Sequence, residues 1–463
     1  MRTCSRRSAL SRIAGGLFLP CLYRVNHCAA TTRSGTSPSI VYVFSDEHRW
    51  QSMSFTEMPA VHTPHMARMA REGFQFSRAI SNYPVCTPHR GMLMTGRWPR
   101  ETGLIDNGLP LSDQEITVGK VFRATGWKTG YIGKWHLGGT RAEPFGFDHS
   151  LIWENTHSHM EGSVYYPADG QPVKPKGYNA AIMTDQALAF IEAASSGDTP
   201  YLLMLSLDPP HANFTDAPPK QLALYPPGSL PRRPNYRETG DGTAIYHQNG
   251  SPYYEGYHAH ITAVDEQLGR ILGAVAASPQ ANRTIVIYTS DHGSMFGSHG
   301  VGSKRQPYEE SIRVPFLVWG PAQYVRPGET GALFGSIDIF PTLCGLAGLE
   351  IPGSCAGQDF SSWITTGRGP DLDSQFIMHV SKDNASGGTN HPAPLFRGIR
   401  QRRHTYFITA DGREHLFDNQ ADPYQENDLG HAPALEETRN QLKQELRACL
   451  ARARDHFEPL DNA

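Results

Sequence analysis

Ile40-Val41-Tyr42-Val43-Phe44, closing on Ser45-Asp46-Glu47, decides the fold of this 463-residue chain. The run offers no polar face to solvent and is rich in β-branched and aromatic residues, so it reads as a strand buried on both sides. Leu202-Leu203-Met204-Leu205, closing on Ser206-Leu207-Asp208, repeats the pattern, as does Thr284-Ile285-Val286-Ile287-Tyr288, closing on Thr289-Ser290-Asp291-His292. Helical stretches separate these runs, among them His65 to Glu72, Asn179 to Ala194 and Tyr257 to Ala277. The alternation predicts an α/β fold, a large and mostly parallel sheet sandwiched by helices. Ligands of such sheets bind beyond the carboxyl ends of the strands, which is where all three acidic clusters fall.

Past Gly353 the character changes. Gln375 to Val380, Leu395 to Arg400 and His404 to Thr409 read as antiparallel strands, with Asp411-Gly412 as a hairpin turn and a terminal helix from about Leu435 to Phe457. The expected organisation is an export signal over residues 1–30, a catalytic domain over 36–365 and a smaller C-terminal subdomain of antiparallel sheet plus helix over 366–463.

The leader places Arg2, Arg6, Arg7 and Arg12 before the apolar Ile13 to Leu19, with Ala29-Ala30 as small residues for cleavage. This predicts export, to the periplasm or the medium. Ser5-Arg6-Arg7-Ser8-Ala9-Leu10 resembles a twin-arginine signal, and a generic basic leader reads equally well. Cys21 raises a lipoprotein reading, which Phe18-Leu19-Pro20 fits poorly. No apolar run approaches the roughly 20 residues of a membrane span, and a net charge of −3 gives no electrostatic reason to expect nucleic acid. Of seven cysteines, three lie in the leader. Cys344 and Cys355 either pair or remain buried thiols, and no disulfide framework is expected.

Cys86-Thr87-Pro88-His89-Arg90-Gly91 places a cysteine at the start of a short apolar helix whose first turn holds Pro88. Helix N-termini attract anions, so a group at position 86 is aimed at a bound oxyanion. Asp46 and Glu47 leave one strand end and Asp291 and His292 another; such acids in one crevice repel unless a cation lies between them. Oxygen-rich ligation favours Ca²⁺ or Mg²⁺, while His292 leaves room for a transition metal. His157, His159, Arg305 and Arg397 are candidates for a sugar subsite, with ordinary surface roles as the alternative. His299 is a candidate supporting group for the metal.

Cysteine-x-proline-x-arginine ahead of a small-residue helix ending in Thr95-Gly96 resembles the signature of the type I sulfatases, members of the alkaline phosphatase-like superfamily. Gly126-Trp127-Lys128-Thr129-Gly130-Tyr131-Ile132-Gly133-Lys134-Trp135-His136 resembles their second signature, and Pro209-Pro210-His211, Ser290-Asp291-His292-Gly293, Lys304 and Tyr308 to Pro315 follow in the family's order. Four positions depart from the usual pattern: His89 stands for Ser or Ala, Trp127 for Tyr or Val, Glu47 for Asp and His292 for Asn.

The resemblance implies that Cys86 is converted to formylglycine by a maturation enzyme, and that the hydrated aldehyde attacks sulfur and then releases sulfate. It also implies one Ca²⁺ held by Asp46, Glu47, Asp291 and His292 together with residue 86. Arg90 and Lys134 would hold the hydrated aldehyde, His136 would assist its hydroxyl, and Lys304 and His211 would contact sulfate near the leaving oxygen. The substrate it implies is a sulfate monoester, in the first place of a sulfated carbohydrate. The alternatives are a phosphonate or phosphate ester hydrolase of the same fold and a catalytically silent carbohydrate-binding homologue.

Overall fold

The computed structural model describes residues 37–154, 158–238, 250–381 and 393–461. The expected export signal and His157 lie outside them. Among the described residues nine strands form the main sheet. Ser39–Ser45 pairs in parallel with Thr284–Ser290 on one side and Tyr201–Ser206 on the other. Lys128–Lys134 and His149–Trp153 continue the parallel series, and Tyr165–Pro167 closes that edge antiparallel. On the far side Phe316–Trp319 runs antiparallel to Thr284–Ser290, followed by Phe74–Phe76 and Gly328–Thr330.

Successive side chains of a strand point to opposite faces, and both faces here are dry. Val41, Val43, Val286 and Leu203 enter one core, where they meet Met183 and Phe190 of helix Asn179–Ser195 and Leu268 and Ile271 of helix Tyr253–Ala277. Ile40, Tyr42, Ile285 and Leu202 enter the other, against Leu93 of helix Cys86–Thr95 and Phe340 and Leu343 of helix Ile339–Ala347. Each such side chain removed from water stabilises the sheet by about 1.5–3 kcal/mol. The sandwich is the one that the continuous apolar runs predict.

A second sheet of four antiparallel strands, Ser374–His379, Phe396–Gln401, His404–Thr409 and Glu414–Asp418, carries the expected turn at Gly412, whose φ is +83°. Its residues share a core with Leu446 and Leu450 of helix Glu436–Arg452 and with Tyr83, Val85 and Met92, which flank Cys86. Asn82 donates to Gln375 Oε1 (3.1 Å) and to the Phe376 carbonyl (2.6 Å), so this sheet braces the segment that leads into Cys86. The terminal helix stops five residues short of the expected Phe457. Asp455 is drawn back to Arg397 and Arg100, and the chain turns out of the helix at Arg454, with φ +50°. Cys86, Cys344, Cys355 and Cys449 are all free thiols. No helix among the described residues is long and apolar enough to cross a membrane.

Candidate active site

Ser45 pairs with Ser290 across the two central strands, so Asp46 and Asp291 leave the sheet side by side at its carboxyl edge. Ser206 ends the next parallel strand and Lys134 the one after. One buried guanidinium spans these ends. Arg90, one turn into the Cys86 helix, donates to Asp46 Oδ2 (3.1 Å), Asp291 Oδ2 (3.3 Å), Ser206 Oγ (2.8 Å) and the Lys134 carbonyl (2.7 Å). Removing one partner of such a buried ion pair costs about 3–5 kcal/mol.

Cys86 opens its helix directly after extended Val85, and its Sγ lies 3.2 Å from Lys304 Nζ, 3.3 Å from His292 Nε2 and 3.6 Å from Asp46 Oδ1. No side chain caps the helix at Val85; Asn107 Oδ1 accepts from the Thr87 N–H at 3.0 Å. Burial and Asp46 push the Cys86 thiol up, but Lys304, Lys134 and His292 outweigh them and bring it down to about 6. Position 86 is therefore built to carry negative charge.

Lys134 Nζ sits 2.7 Å from Asp46 Oδ2 and 3.0 Å from Asp208 Oδ1. Burial disfavours its charge, yet these two carboxylates hold it well above the usual lysine value. Just before it, Gly133 has φ +108°, and a Cβ there would lie 2.0 Å from the Ser206 carbonyl oxygen, so only glycine lets the two strands approach. His136 takes a left-handed φ of +55° and donates its N–H to the Glu154 carboxylate. Its ring Nδ1 is buried with no hydrogen-bond partner. Burial first, then Lys134 and Arg90, hold this imidazole down to about 4. His211 is likewise held well below its usual value by burial and by Lys134 and Lys304.

Asp46, Cys86, Asp291 and His292 each offer a ligand atom, all within 4.8 Å of one another. His292 Nδ1 lies 2.9 Å from the Gly293 carbonyl, which fixes a proton there and turns Nε2 toward the cluster; against burial, Asp291 and Cys86 raise this imidazole to about 9, so a cation would take the place of the Nε2 proton. Burial and the charge of Asp46 push Asp291 up to about 7 even with Arg90 beside it, a sign of two carboxylates crowded together. The donor set fits a divalent cation. Glu47, expected in that set, stands beside it: its φ of +69° turns the chain so that its carboxylate lies 3.3 Å from Lys304 Nζ and its N–H donates to Asp291 Oδ1.

The structure thus gathers Asp46, Glu47, Cys86, Arg90, Lys134, Asp291, His292 and Lys304 into one contact network, with His136 joined to it by the bond from Thr87 Oγ1 to its carbonyl (2.7 Å). His159 is not on a sugar-facing surface. It is fully buried, with Nε2 2.9 Å from Asp208 and Nδ1 2.7 Å from Asp216. Arg397 is also internal, paired with Asp455 and the His379 carbonyl. Arg305 pairs with Asp106 (2.8 Å). His299 stacks on Tyr308 with ring centres 4.0 Å apart, away from the metal-type cluster. Sequence reasoning left Asp208 out of the site, although it follows an apolar strand just as Asp46 and Asp291 do.

Fold and site together define an α/β protein with a buried cluster of acids, cations and one cysteine at the carboxyl edge of its sheet. The sulfatase family profile matches residues 38–349, and that of the N-sulphoglucosamine sulphohydrolase C-terminal region matches 297–452. An ulvan-active sulfatase of Formosa agariphila is 36% identical, with 92% of this chain and 83% of that one covered. The N-acetylglucosamine-6-O-sulfatase of Bacteroides thetaiotaomicron is 26% identical over 90% of this chain and 89% of its own. A solved chain from Bacteroides fragilis described as the sulfatase yidJ superposes with a TM-score of 0.82 at 28% identity, covering 92% of this chain and 98% of that one. The chain belongs to the formylglycine-type sulfatase family and is a sulfuric ester hydrolase.

Proposed function

We propose that the protein removes sulfate from a sulfated carbohydrate, with Cys86 as formylglycine and one Ca²⁺ beside it. The carbohydrate reading is supported by relatives whose names specify ulvan and N-acetylglucosamine 6-O-sulfate. The observation that carries the site reading is the meeting at Cys86 Sγ of a helix N-terminus, the Lys304 ammonium and the Asp46–His292 donors. In this reading the catalytic part spans residues 36–365, the part over 366–463 braces it, and the leader directs export.

Asp46 Oδ1, Asp291 Oδ1, His292 Nε2 and residue 86 would hold the cation, which would supply positive charge to the sulfate oxygens. Formylglycine, as its hydrate, would supply one hydroxyl for attack on sulfur and a second through which sulfate is released. Lys134 and Lys304 bracket position 86 and neutralise charge gathering there. Arg90 fixes the strand ends that carry the donors. His136, neutral and with a free ring nitrogen, takes a proton from a hydroxyl at position 86. His211 is also neutral here, held so by burial first and then by Lys134 and Lys304; the negative charge of a bound sulfate ester offsets those cations and raises its proton affinity. It then protonates the leaving sugar oxygen.

Residues 79–96 are buried throughout, so a maturation enzyme reaches Cys86 before this segment closes. The test is protein made with that enzyme and assayed on sulfated mono- and oligosaccharides beside the matching phosphate and phosphonate esters. Sulfate release that stops on chelation and returns with Ca²⁺ is expected, and the peptide carrying position 86 should be lighter than its thiol form by about 18 Da. Preference for phosphonate, or activity with only thiol at 86, overturns the reading.

A further inference from the structure

A cleft of about 420 Å³ opens between the loop after Ser39–Ser45 and the four-stranded sheet, lined by Arg78, Arg313, Arg400, Arg402, Arg403 and Glu309 among others. It shares no residue with the Cys86 network. Two of its guanidiniums converge on one inner carboxylate, and a third stands without one. Arg400 Nε lies 2.6 Å from Glu309 Oε1 and Arg313 3.6 Å from Glu309 Oε2, while Arg78 pairs with no carboxylate among the described residues and donates to the Gly331 carbonyl (3.1 Å). The other acid in the lining, Glu57, is engaged by Arg233. At the mouth, Arg402 and Arg403 are exposed and each meets an aspartate, Asp371 and Asp418. The inner wall therefore carries three positive charges against one negative.

The surplus shows in the groups themselves. Glu309 is buried, yet Arg400 and Arg313 hold it down to about 2. Arg313 is brought down to about 10, by burial first and then by Arg400 and Arg78. Guanidiniums do not relieve such crowding by losing protons; a bound anion does so. Their planar forks match the oxygens of sulfate and carboxylate groups.

We propose that this cleft is a second, non-catalytic anion site that grips sulfate groups of a polysaccharide chain while another part of the chain is presented to Cys86. A repeating polyanion is the ligand class, because the exposed pair at the mouth and the unneutralised arginines within offer successive contacts rather than one closed pocket. The proposal goes beyond the assignment of the reaction and needs no hydrolysis to be tested.

The probe is fluorescently labelled dextran sulfate, with inorganic sulfate as the monomeric arm, and the protein is full-length Cys86→Ala. Arg78→Gln with Arg402→Gln should weaken dextran sulfate binding about tenfold, whereas Arg123→Gln, which removes an exposed charge elsewhere, should not. With Cys86 intact, the double variant should raise KM on polymeric sulfated substrate and leave a sulfated monosaccharide unaffected. Arg403→Gln serves as a second variant if the double one melts early, and is expected to weaken binding in the same direction. Unchanged dextran sulfate affinity, an equal loss in Arg123→Gln, or competition by inorganic sulfate at equal charge concentration each overturns the proposal. Failure of every variant to hydrolyse any sulfate ester would instead strike the proposed reaction, since the binding result stands without it.

Discussion

Two acid–histidine clusters are linked in this molecule through Lys134 and Asp208, and ligand distances alone do not separate them. Asp46, Cys86, Asp291 and His292 form one; His159, Asp216 and His260 form the other. In the first, one nitrogen of His292 is tied to a carbonyl and the other faces Cys86 and Asp291, and burial and the charge of Asp46 push Asp291 up even with Arg90 beside it. In the second, both nitrogens of His159 already meet carboxylates, and His260 is taken up by Tyr178 (2.8 Å) and the Asn213 carbonyl (3.0 Å). The first cluster crowds two carboxylates whose mutual repulsion a cation would relieve. The second has matched donors to acceptors and is closed. A metal site is defined by what remains unsatisfied, not by proximity.

Breaking the first cluster should have the largest effect. Asp46→Asn is expected to lower kcat/KM by roughly a thousandfold, and calorimetric titration should find one Ca²⁺ per wild-type chain and none in the variant. Two bound ions per chain, with the second lost in Asp216→Asn, would break the comparison.

His159→Gln should cost about tenfold in kcat, because Asp208 then loses one of the partners that aim it at Lys134. It should also change how stability depends on pH. Against the effect of burial, Asp208 and Asp216 raise His159 from the usual 6.5 to about 9. Between those values the folded chain holds a proton that the unfolded chain has lost, so stability falls as pH rises. The contribution is complete below about pH 6.5 and gone above about pH 9, and amounts to about 3 kcal/mol at 1.4 kcal/mol per unit. Wild-type Tm should drop across that window, and His159→Gln should flatten the drop.

His260→Gln should have the smallest effect, within about twofold in kcat/KM, because His260 sits at the rim of the network, 3.4 Å from Asp216 and packed on the His159 ring. An effect as large as that of Asp46→Asn would mean that the two clusters act as one.

The strands that announce themselves in the sequence are those whose two faces are both apolar, Ser39–Ser45, Tyr201–Ser206 and Thr284–Ser290. Lys128–Lys134 is equally central to the site but shows no continuous apolar run, because Gly130 and Gly133 interrupt it. The structure explains both glycines by crowding: a Cβ at Gly130 would lie 2.8 Å from the Phe190 ring, and one at Gly133 would strike Ser206. Strands as short as Phe74–Phe76 leave too little pattern to detect. The Cys86, Asp46 and Asp291 positions were legible because each closes a local signal. Asp216 was not, since only tertiary folding brings it to His159, 57 positions away in the chain.

The pairing of Ser45 with Ser290 has a consequence for how defective copies behave. A slip of one residue between those strands would send Asp46 and Asp291 to opposite faces of the sheet and leave Arg90 without either. Chains with that error would be silent rather than sluggish, so specific activity in a preparation counts correctly registered molecules, and a low value reports their fraction instead of a weaker catalyst.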